Sequence, residues 1–209
     1  PIAGGMAGGS ADAAAALVAC NQLWGLGLTL EQLCQIGRTL GADVPACIMG
    51  GMTLGQGRGD RLTSLLDPDQ SSWPRHYWVM ARAHHGLSTP EVFRTLDQLR
   101  EGGVPAQLSE TERQALCADA DALASVLCND LTAPALHLYP ELATTIHDAK
   151  DAGACAAILS GSGPTIAVLA RDSKHADELA EALQTSSEVS AVLRTSGPAV
   201  GAIVEEEES

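Results

Sequence analysis

Four glycines lie within the first nine residues of the chain, and they lead directly into an alanine-rich segment that begins at Ser10. Glycine lets a backbone pass close to a ligand, and the amino end of a helix offers free N–H groups and a positive dipole. The segment therefore predicts a phosphate-binding loop followed by a helix. It contains neither the Gly-Lys-Ser/Thr of a Walker loop nor GxGxxG after a strand, so neither common nucleotide-binding fold is indicated. A flexible glycine turn before a helix is the alternative.

Charge and cysteine usage limit the classes of partner and compartment. Lys and Arg number 12 against 26 Asp and Glu, which gives a net charge of −14. Such a chain lacks the attraction that drives binding to nucleic acids or anionic membranes, and no run of about 18 apolar residues could span a bilayer. The six cysteines form no CxxC pair, which argues against a zinc site. Reduced thiols of this kind favour a cytoplasmic protein.

Hydrophobic periodicity predicts an α+β chain that starts with two helices. The first is expected over residues 10–24. Thr29 and Gln32 form a capping-box pattern for the second, and Gly41 is placed to end it. The buried face of this second helix is expected to carry four apolar residues, Leu30, Leu33, Ile36 and Leu40.

A polar segment with two prolines, from Asp67 to Pro74, predicts a domain boundary. The expected domains are residues 1–70 and 71–204, and residues 205–209 form an acidic tail that is expected to be solvated. In the second domain, patterns predict strands over 77–83, 156–159, 165–170 and 189–195, and helices over 89–99, 110–127, 140–152 and 174–184.

Two glycine-rich motifs resemble those of one kinase superfamily. Residues 1–14 resemble the second motif of the GHMP kinases, named for galactokinase, homoserine kinase, mevalonate kinase and phosphomevalonate kinase. The segment Ser160-Gly-Ser-Gly-Pro-Thr165 resembles the third motif of the same superfamily. In that superfamily the third motif is a glycine loop that comes to lie beside the phosphate loop. The resemblance implies an α+β, two-domain GHMP kinase fold with an incomplete amino-terminal domain and a carboxy-terminal α/β sandwich-like domain. It also implies ATP and Mg²⁺ as cofactors.

Further segments narrow the resemblance to one branch of that superfamily. The similarity runs from residue 1 to about residue 204, and it is carried by Leu40–Pro45, Gly50-Gly51, Ser88–Phe93, Asn129–Leu131 and Tyr139–Leu142. The resemblance implies phosphorylation of the 2-hydroxyl of a cytidine-diphosphate-linked methylerythritol, in the non-mevalonate route to isoprenoid precursors. Two alternatives stay open, a GHMP kinase for another small alcohol such as homoserine or mevalonate, and a catalytically incomplete nucleotide-binding module.

The resemblance assigns the ATP phosphate loop to residues near the amino end. The Ser10 hydroxyl would contact phosphate or Mg²⁺. Where the family often has two adjacent serines, this chain has Ser10-Ala11, and Ala7 stands where glycine is common. The residues implied to bind ATP are Pro1, Ala3, Gly4, Gly5, Met6, Ala7, Gly8, Gly9, Ser10 and Ala11.

Asp43 matches the catalytic aspartate of the family that the chain resembles. In phosphoryl transfer a carboxylate can accept a hydrogen bond from the attacking hydroxyl, orient it and take its proton. An Asp two residues before a proline is also a frequent helix cap, so capping is the alternative role. The two roles are compatible, because a cap residue is held rigidly enough to position a nucleophile.

The resemblance also implies two groups of substrate residues. Thr89, Pro90 and Phe93 fall where the family lines the cytidine end of its site, and the aromatic face of Phe93 could pack on a pyrimidine. The alternative is a helix that Thr89 and Pro90 cap and open, with one core aromatic. The second group belongs to the later glycine loop and comprises Ser160, Gly161, Ser162 and Gly163.

Several residues of the family's active site precede its phosphate loop. They are the catalytic lysine, the adenine contacts, and the Tyr and His that hold cytosine, and nothing in this chain precedes Pro1. A kinase without that lysine loses charge stabilisation of the transferring phosphoryl group. We therefore expect the 209-residue chain alone to be inactive and to expose apolar surface that leading strands would cover.

Overall fold

The computed structural model describes residues 4–66, 74–100 and 108–205. Within them the chain forms two compact units, of which residues 7–66 and 198–205 make the first, and residues 4–6, 74–100 and 108–197 the second. Pro1 and Ala3 of the predicted phosphate loop lie outside the described residues, as do most of the predicted boundary segment and residues 206–209 of the acidic tail. No helix of the described ranges is both long and apolar enough to cross a membrane.

The first unit contains three helices and a hairpin. The predicted capping box is confirmed, because the Thr29 hydroxyl accepts from the N–H of Gln32 at 3.3 Å and the Gln32 side chain accepts from the N–H of Thr29 at 2.8 Å. Gly41 is the C-cap, as expected. The elements are α1 (Gly8–Leu23), α2 (Leu30–Leu40), α3 (Val44–Met49), β1 (Thr53–Gln56) and β2 (Arg61–Ser64), and β1 pairs with β2 in antiparallel fashion.

The buried face of α2 differs from the predicted one. Leu33 is buried as expected, but Leu30, Ile36 and Leu40 are 54%, 40% and 59% exposed. The face that packs inward carries Leu33, Cys34 and Gly37. A Cβ on Gly37 would lie 2.9 Å from Cγ1 of Val44, so the absence of a side chain lets α3 approach α2 closely. An apolar count misses this face because glycine carries no hydrophobic signal.

A glycine pair joins the carboxy-terminal segment to the first unit. A Cβ on Gly50 would lie 2.0 Å from the backbone N of Gly201, so the two backbones are in direct contact. The N–H of Gly51 donates to Ala199 at 2.7 Å, and the N–H of Ala202 donates to Cys47 at 2.9 Å. These backbone bonds place residues 198–205 with the first unit, although they follow the second unit in sequence.

The second unit is built on a four-stranded antiparallel sheet with strand order β4-β5-β3-β6. The strands β5 and β6 run parallel to each other, with β3 between them, and α9 connects them. The elements are β3 (His76–Ala83), α4 (Thr89–Leu99), α5 (Glu110–Leu116), α6 (Ala120–Val126), α7 (Thr132–Leu138), α8 (Leu142–Asp151), β4 (Ala156–Leu159), β5 (Ile166–Ala170), α9 (Ser173–Gln184) and β6 (Val189–Gly197).

Both faces of this sheet are covered. Val79 and Val168 belong to the larger core cluster, which includes Leu142 of α8 and Leu179 of α9. On the other face, Leu169 of β5 packs with the α6 residues Ala120 and Leu123. Successive residues of β5 belong to opposite clusters, Val168 and Ala170 to the larger one and Leu169 to the other, because side chains of a strand alternate between its two faces. The antiparallel sheet therefore forms the middle layer of this unit.

One predicted helix is interrupted. The segment 110–127 forms the two short helices α5 and α6, because Asp119 begins the second one. Its carboxylate accepts from the N–H of Ala122 at 2.9 Å, which is the bond of an N-cap. The prediction of one continuous helix was therefore wrong, and the short helix α7 was not predicted at all.

Candidate functional site

The two glycine-rich segments lie against each other. The Thr165 hydroxyl donates to the carbonyl of Gly4 at 2.6 Å, and the Ser160 hydroxyl donates to the carbonyl of Gly5 at 2.7 Å. Gly5 has φ +69°, and a Cβ at this position would lie 2.4 Å from the Ser160 carbonyl oxygen. Backbone therefore packs directly on backbone, and a side chain larger than hydrogen does not fit at residue 5.

The rest of the first loop leads into α1 with its first N–H groups exposed. Ala7 has φ +49° and is the one non-glycine residue with positive φ in the described ranges. Its carbonyl accepts from the N–H groups of Ser10 and Ala11, both at 3.0 Å. The N–H groups of Gly8 and Gly9 belong to the first turn, which has no intrahelical acceptors, and both residues are exposed. A phosphate could accept hydrogen bonds from these donors.

Asp43 lies at the start of α3 but does not use its side chain as a cap. Among the described residues its carboxylate has no hydrogen-bond or ion-pair partner, and the residue is exposed. Burial raises the pKa of the Cys47 thiol, and the charge of Asp43 raises it further. A Cβ on Gly41 would lie 3.8 Å from the Ser10 hydroxyl, so the turn before Asp43 passes beside Ser10. This carboxylate is therefore available to a ligand.

Residues of α4 are joined to the later glycine loop. The Thr89 and Ser162 hydroxyls share a hydrogen bond of 2.7 Å, and Ser162 is buried. The N-cap position of α4 is held by Ser88, so the predicted capping role of Thr89 was wrong, and Thr89 and Pro90 are the first helical residues. The side chain of Phe93 is 49% exposed and does not belong to the core.

The second glycine loop is a tight turn that Asn129 brackets. The N–H of Ser160 donates to Thr165 at 2.8 Å, and the N–H of Gly163 donates to Ser160 at the same distance. The Asn129 amide donates to the carbonyls on both sides of Ser160. Sequence reasoning used Asn129 only as part of a similar segment, because nothing local shows that its partners lie 30 and 32 residues away.

The described residues offer no carboxylate cage for a metal ion. No group of three or more His, Cys, Asp or Glu side chains that could hold a metal is found among them. Mg²⁺ commonly needs only one or two protein ligands when it arrives with nucleotide phosphates. The half-buried Ser10 hydroxyl at the start of α1 fits that mode of binding, in which phosphates and water supply the other ligands.

Family models and solved structures were compared with the whole chain, and they match the GHMP kinases. Residues 1–51 match the GHMP kinases N terminal domain, and residues 113–189 match the GHMP kinases C terminal domain. A crystal structure of 4-(cytidine 5'-diphospho)-2C-methyl-D-erythritol kinase is similar, with a TM-score of 0.75 and 29% identity over 94% of this chain and 67% of the other. Homoserine kinase from Cytophaga hutchinsonii, at 20% identity and a TM-score of 0.68, shares the fold. The matches confirm the predicted α+β fold class as that of the GHMP kinases.

Similar curated proteins identify the family within the GHMP kinases. A 4-diphosphocytidyl-2-C-methyl-D-erythritol kinase of Pseudarthrobacter chlorophenolicus is 47% identical over 97% of this chain and 63% of its own length. The enzyme of the same name from Streptomyces coelicolor is 46% identical over 98% of this chain and 68% of its own length. The chain therefore belongs to the 4-diphosphocytidyl-2-C-methyl-D-erythritol kinase family, and it spans about two thirds of the length of these relatives.

Proposed function

We propose that the protein transfers the γ-phosphoryl group of ATP to the 2-hydroxyl of 4-diphosphocytidyl-2-C-methyl-D-erythritol. The observation that carries this proposal is the identity of 46% to 47% with enzymes of that name over nearly the whole chain. The contact between the two glycine loops supports it, as does the carboxylate of Asp43, which has no hydrogen-bond or ion-pair partner among the described residues. Phosphoryl transfer needs a phosphate site and a group that orients the nucleophile.

Backbone N–H groups do most of the phosphate binding in this proposal. The chain carries a net charge of −14, so general attraction for a nucleotide is absent. The exposed N–H groups of Gly8 and Gly9 and the positive end of α1 offset that charge locally. Mg²⁺, when bound with the nucleotide, would neutralise phosphate charge, and Ser10 is its proposed protein ligand.

Asp43 is the proposed general base. Its carboxylate makes no cap bond, so it can accept the hydrogen bond of the attacking hydroxyl without first breaking another. The rigid α3 start, with Val44 and Ile48 buried beneath it, would hold the carboxylate in one position. The proton of the hydroxyl would pass to this carboxylate as the phosphoryl group is transferred.

The cytidine end of the substrate is assigned to α4 and the later glycine loop. The exposed ring of Phe93 offers a face for stacking on cytosine, and Thr89 and Ser162 offer hydroxyl groups. Gly161 is exposed, so its backbone is open to the ligand. Gly163 is buried, and a Cβ there would lie 2.7 Å from Cδ1 of Leu159, so its proposed role is to shape the loop that contacts the ligand. The free cysteines of the described chain support the further proposal that the protein acts in the cytoplasm.

A coupled ATP assay tests the function. It uses the 209-residue chain and a hybrid that adds the part of the Streptomyces coelicolor relative that this chain does not match. We expect the hybrid to phosphorylate the cytidine-linked alcohol in preference to homoserine and mevalonate, and the 209-residue chain to show no turnover. Preference for homoserine or mevalonate would overturn the substrate assignment. Turnover by the 209-residue chain would refute the expectation that it is inactive alone.

A further inference from the structure

Asn129 lies between α6 and α7, and its side-chain amide bonds three backbone groups. Its Nδ2 group donates to the carbonyl of Leu159 at 2.9 Å and to that of Gly161 at 2.8 Å. Its Oδ1 atom accepts from the N–H of Leu131 at 2.9 Å. Both amide protons and the carbonyl oxygen are therefore used, and the residue is half-buried.

The two acceptors flank Ser160. Leu159 is the last residue of β4 and is buried, whereas Gly161 is exposed and has φ +56°. A glycine on the surface has wide conformational freedom. Leu159 is held by its place in β4, whereas the bond from Asn129 restrains Gly161, on the other side of Ser160. Ser160, between the two anchored carbonyls, is the residue whose hydroxyl donates to Gly5.

We propose that Asn129 is a positioning residue for the first glycine loop, acting through Ser160. Among the described residues, its side-chain hydrogen bonds reach none of those predicted to bind ATP. It fixes the backbone of the second loop, and the Ser160 hydroxyl then fixes the carbonyl of Gly5, three residues before α1 begins. This role rests on the proposed function, because the geometry of the first loop matters only if that loop binds phosphate.

The substitution Asn129→Asp removes the donors without changing the size of the side chain. The remaining oxygen can still accept from Leu131, but the other oxygen would face two carbonyl oxygens that it cannot bond. Asn21→Asp is the matched control. Asn21 donates to the carbonyl of Leu28 at 3.1 Å and accepts from its N–H at 2.9 Å, so it holds the loop between α1 and α2 in the same manner.

Hydrogen–deuterium exchange on the 209-residue chain tests the structural half of the proposal. In Asn129→Asp we expect the amides of Ser160 and Gly163 to exchange faster by about tenfold, with faster exchange also in the peptide that covers residues 4–10. Strand β5 should exchange as in the wild type, which shows that the fold is kept. In Asn21→Asp the change should be confined to the α1–α2 loop. Unchanged exchange at Ser160 and Gly163 in Asn129→Asp would overturn the proposal.

Kinetics of the hybrid test the functional half. We expect kcat to fall by about tenfold or more in Asn129→Asp, because displacement of reacting groups by about 1 Å can cost a factor of 10². Asn21→Asp should stay within about twofold of the wild type. Faster exchange with unchanged kcat would overturn the positioning role and leave a structural one. A wild-type hybrid that phosphorylates none of the alcohols would refute the proposed function instead, and the exchange result would still decide whether Asn129 fixes the loops.

Discussion

Replacing Gly5 by alanine tests how the two glycine loops are joined. The new methyl group would lie 2.4 Å from the Ser160 carbonyl oxygen and 2.9 Å from that of Gly163, and both contacts are with backbone. No flexible side chain can move aside, so the segment from Gly4 to Met6 must leave its position. The hydrogen bonds from Ser160 and Thr165 to this segment would then be lost.

The structure also limits the size of the effect. Left-handed backbone costs an alanine about 1 kcal/mol, and each lost hydrogen bond about 1 kcal/mol, so Gly5→Ala should lower the free energy of unfolding by about 3 kcal/mol. Gly25 has φ +58° with nothing within 4 Å of its Cβ position, so Gly25→Ala isolates the backbone term of about 1 kcal/mol. Gly9 lies in α1 without positive φ or a close neighbour, and Gly9→Ala should be neutral or stabilising by up to about 1 kcal/mol.

Urea unfolding of the wild type and of Gly5→Ala, Gly25→Ala and Gly9→Ala, followed by far-ultraviolet circular dichroism, measures these differences in the free energy of unfolding. Binding of a non-hydrolysable ATP analogue by the same variants shows whether the joined loops matter for the proposed phosphate site. If Gly5→Ala loses no more stability than Gly25→Ala, the conclusion that the two loops pack backbone against backbone at Gly5 is refuted.

Two further predictions concern Asp43 and the cysteines. Asp43→Ala in the hybrid should lower kcat by a factor of about 10² to 10⁴ and leave the free energy of unfolding unchanged, because its carboxylate makes no cap bond. Asp119→Ala removes a true cap and should cost about 1 kcal/mol without lowering kcat, and the reverse pattern would contradict both assignments. Cys34 is buried and burial raises its pKa, which lowers its thiolate fraction at a given pH, whereas Cys128 is exposed to reagent, so mass spectrometry should detect alkylation at Cys128 first and at Cys34 last. Alkylation of Cys34 should begin at a higher pH than that of an ordinary cysteine thiol. Labelling of Cys34 before Cys128 in the folded chain would refute this order.

Elements with local signals were predicted well. The capping box of α2 and its end at Gly41 depend on residues within one turn of each end, and both are found in the structure. Asp119 is a residue type that favours helix N-caps, but the prediction did not use it, and one helix was expected over residues 110–127, where α5 and α6 form. The buried face of α2 could not be read from apolar spacing, because Gly37 defines it through the closeness of α3.

In the candidate site, too, local features were predicted from the sequence and long-range contacts were not. Glycine spacing marked both loops, and the resemblance marked Asp43, yet the cap alternative was removed only when the carboxylate was found without a cap bond. The pairing of Thr89 with Ser162 joins positions 73 residues apart, and Asn129 acts across 30 and 32 residues. Such partners follow from the path of the whole chain, which local patterns do not contain.

The sequence by itself determined that two glycine-rich turns exist, that one opens a helix, and that the chain belongs with the GHMP kinases. Those features depend on conformational preferences of neighbouring residues and on motif spacing. The resemblance implied that the two turns lie side by side, but only the tertiary structure decided which atoms join them, because the bond from Ser160 to Gly5 connects residues 155 positions apart. Glycine at position 5 is required by that contact, since its Cβ position is occupied by the backbone of the other loop.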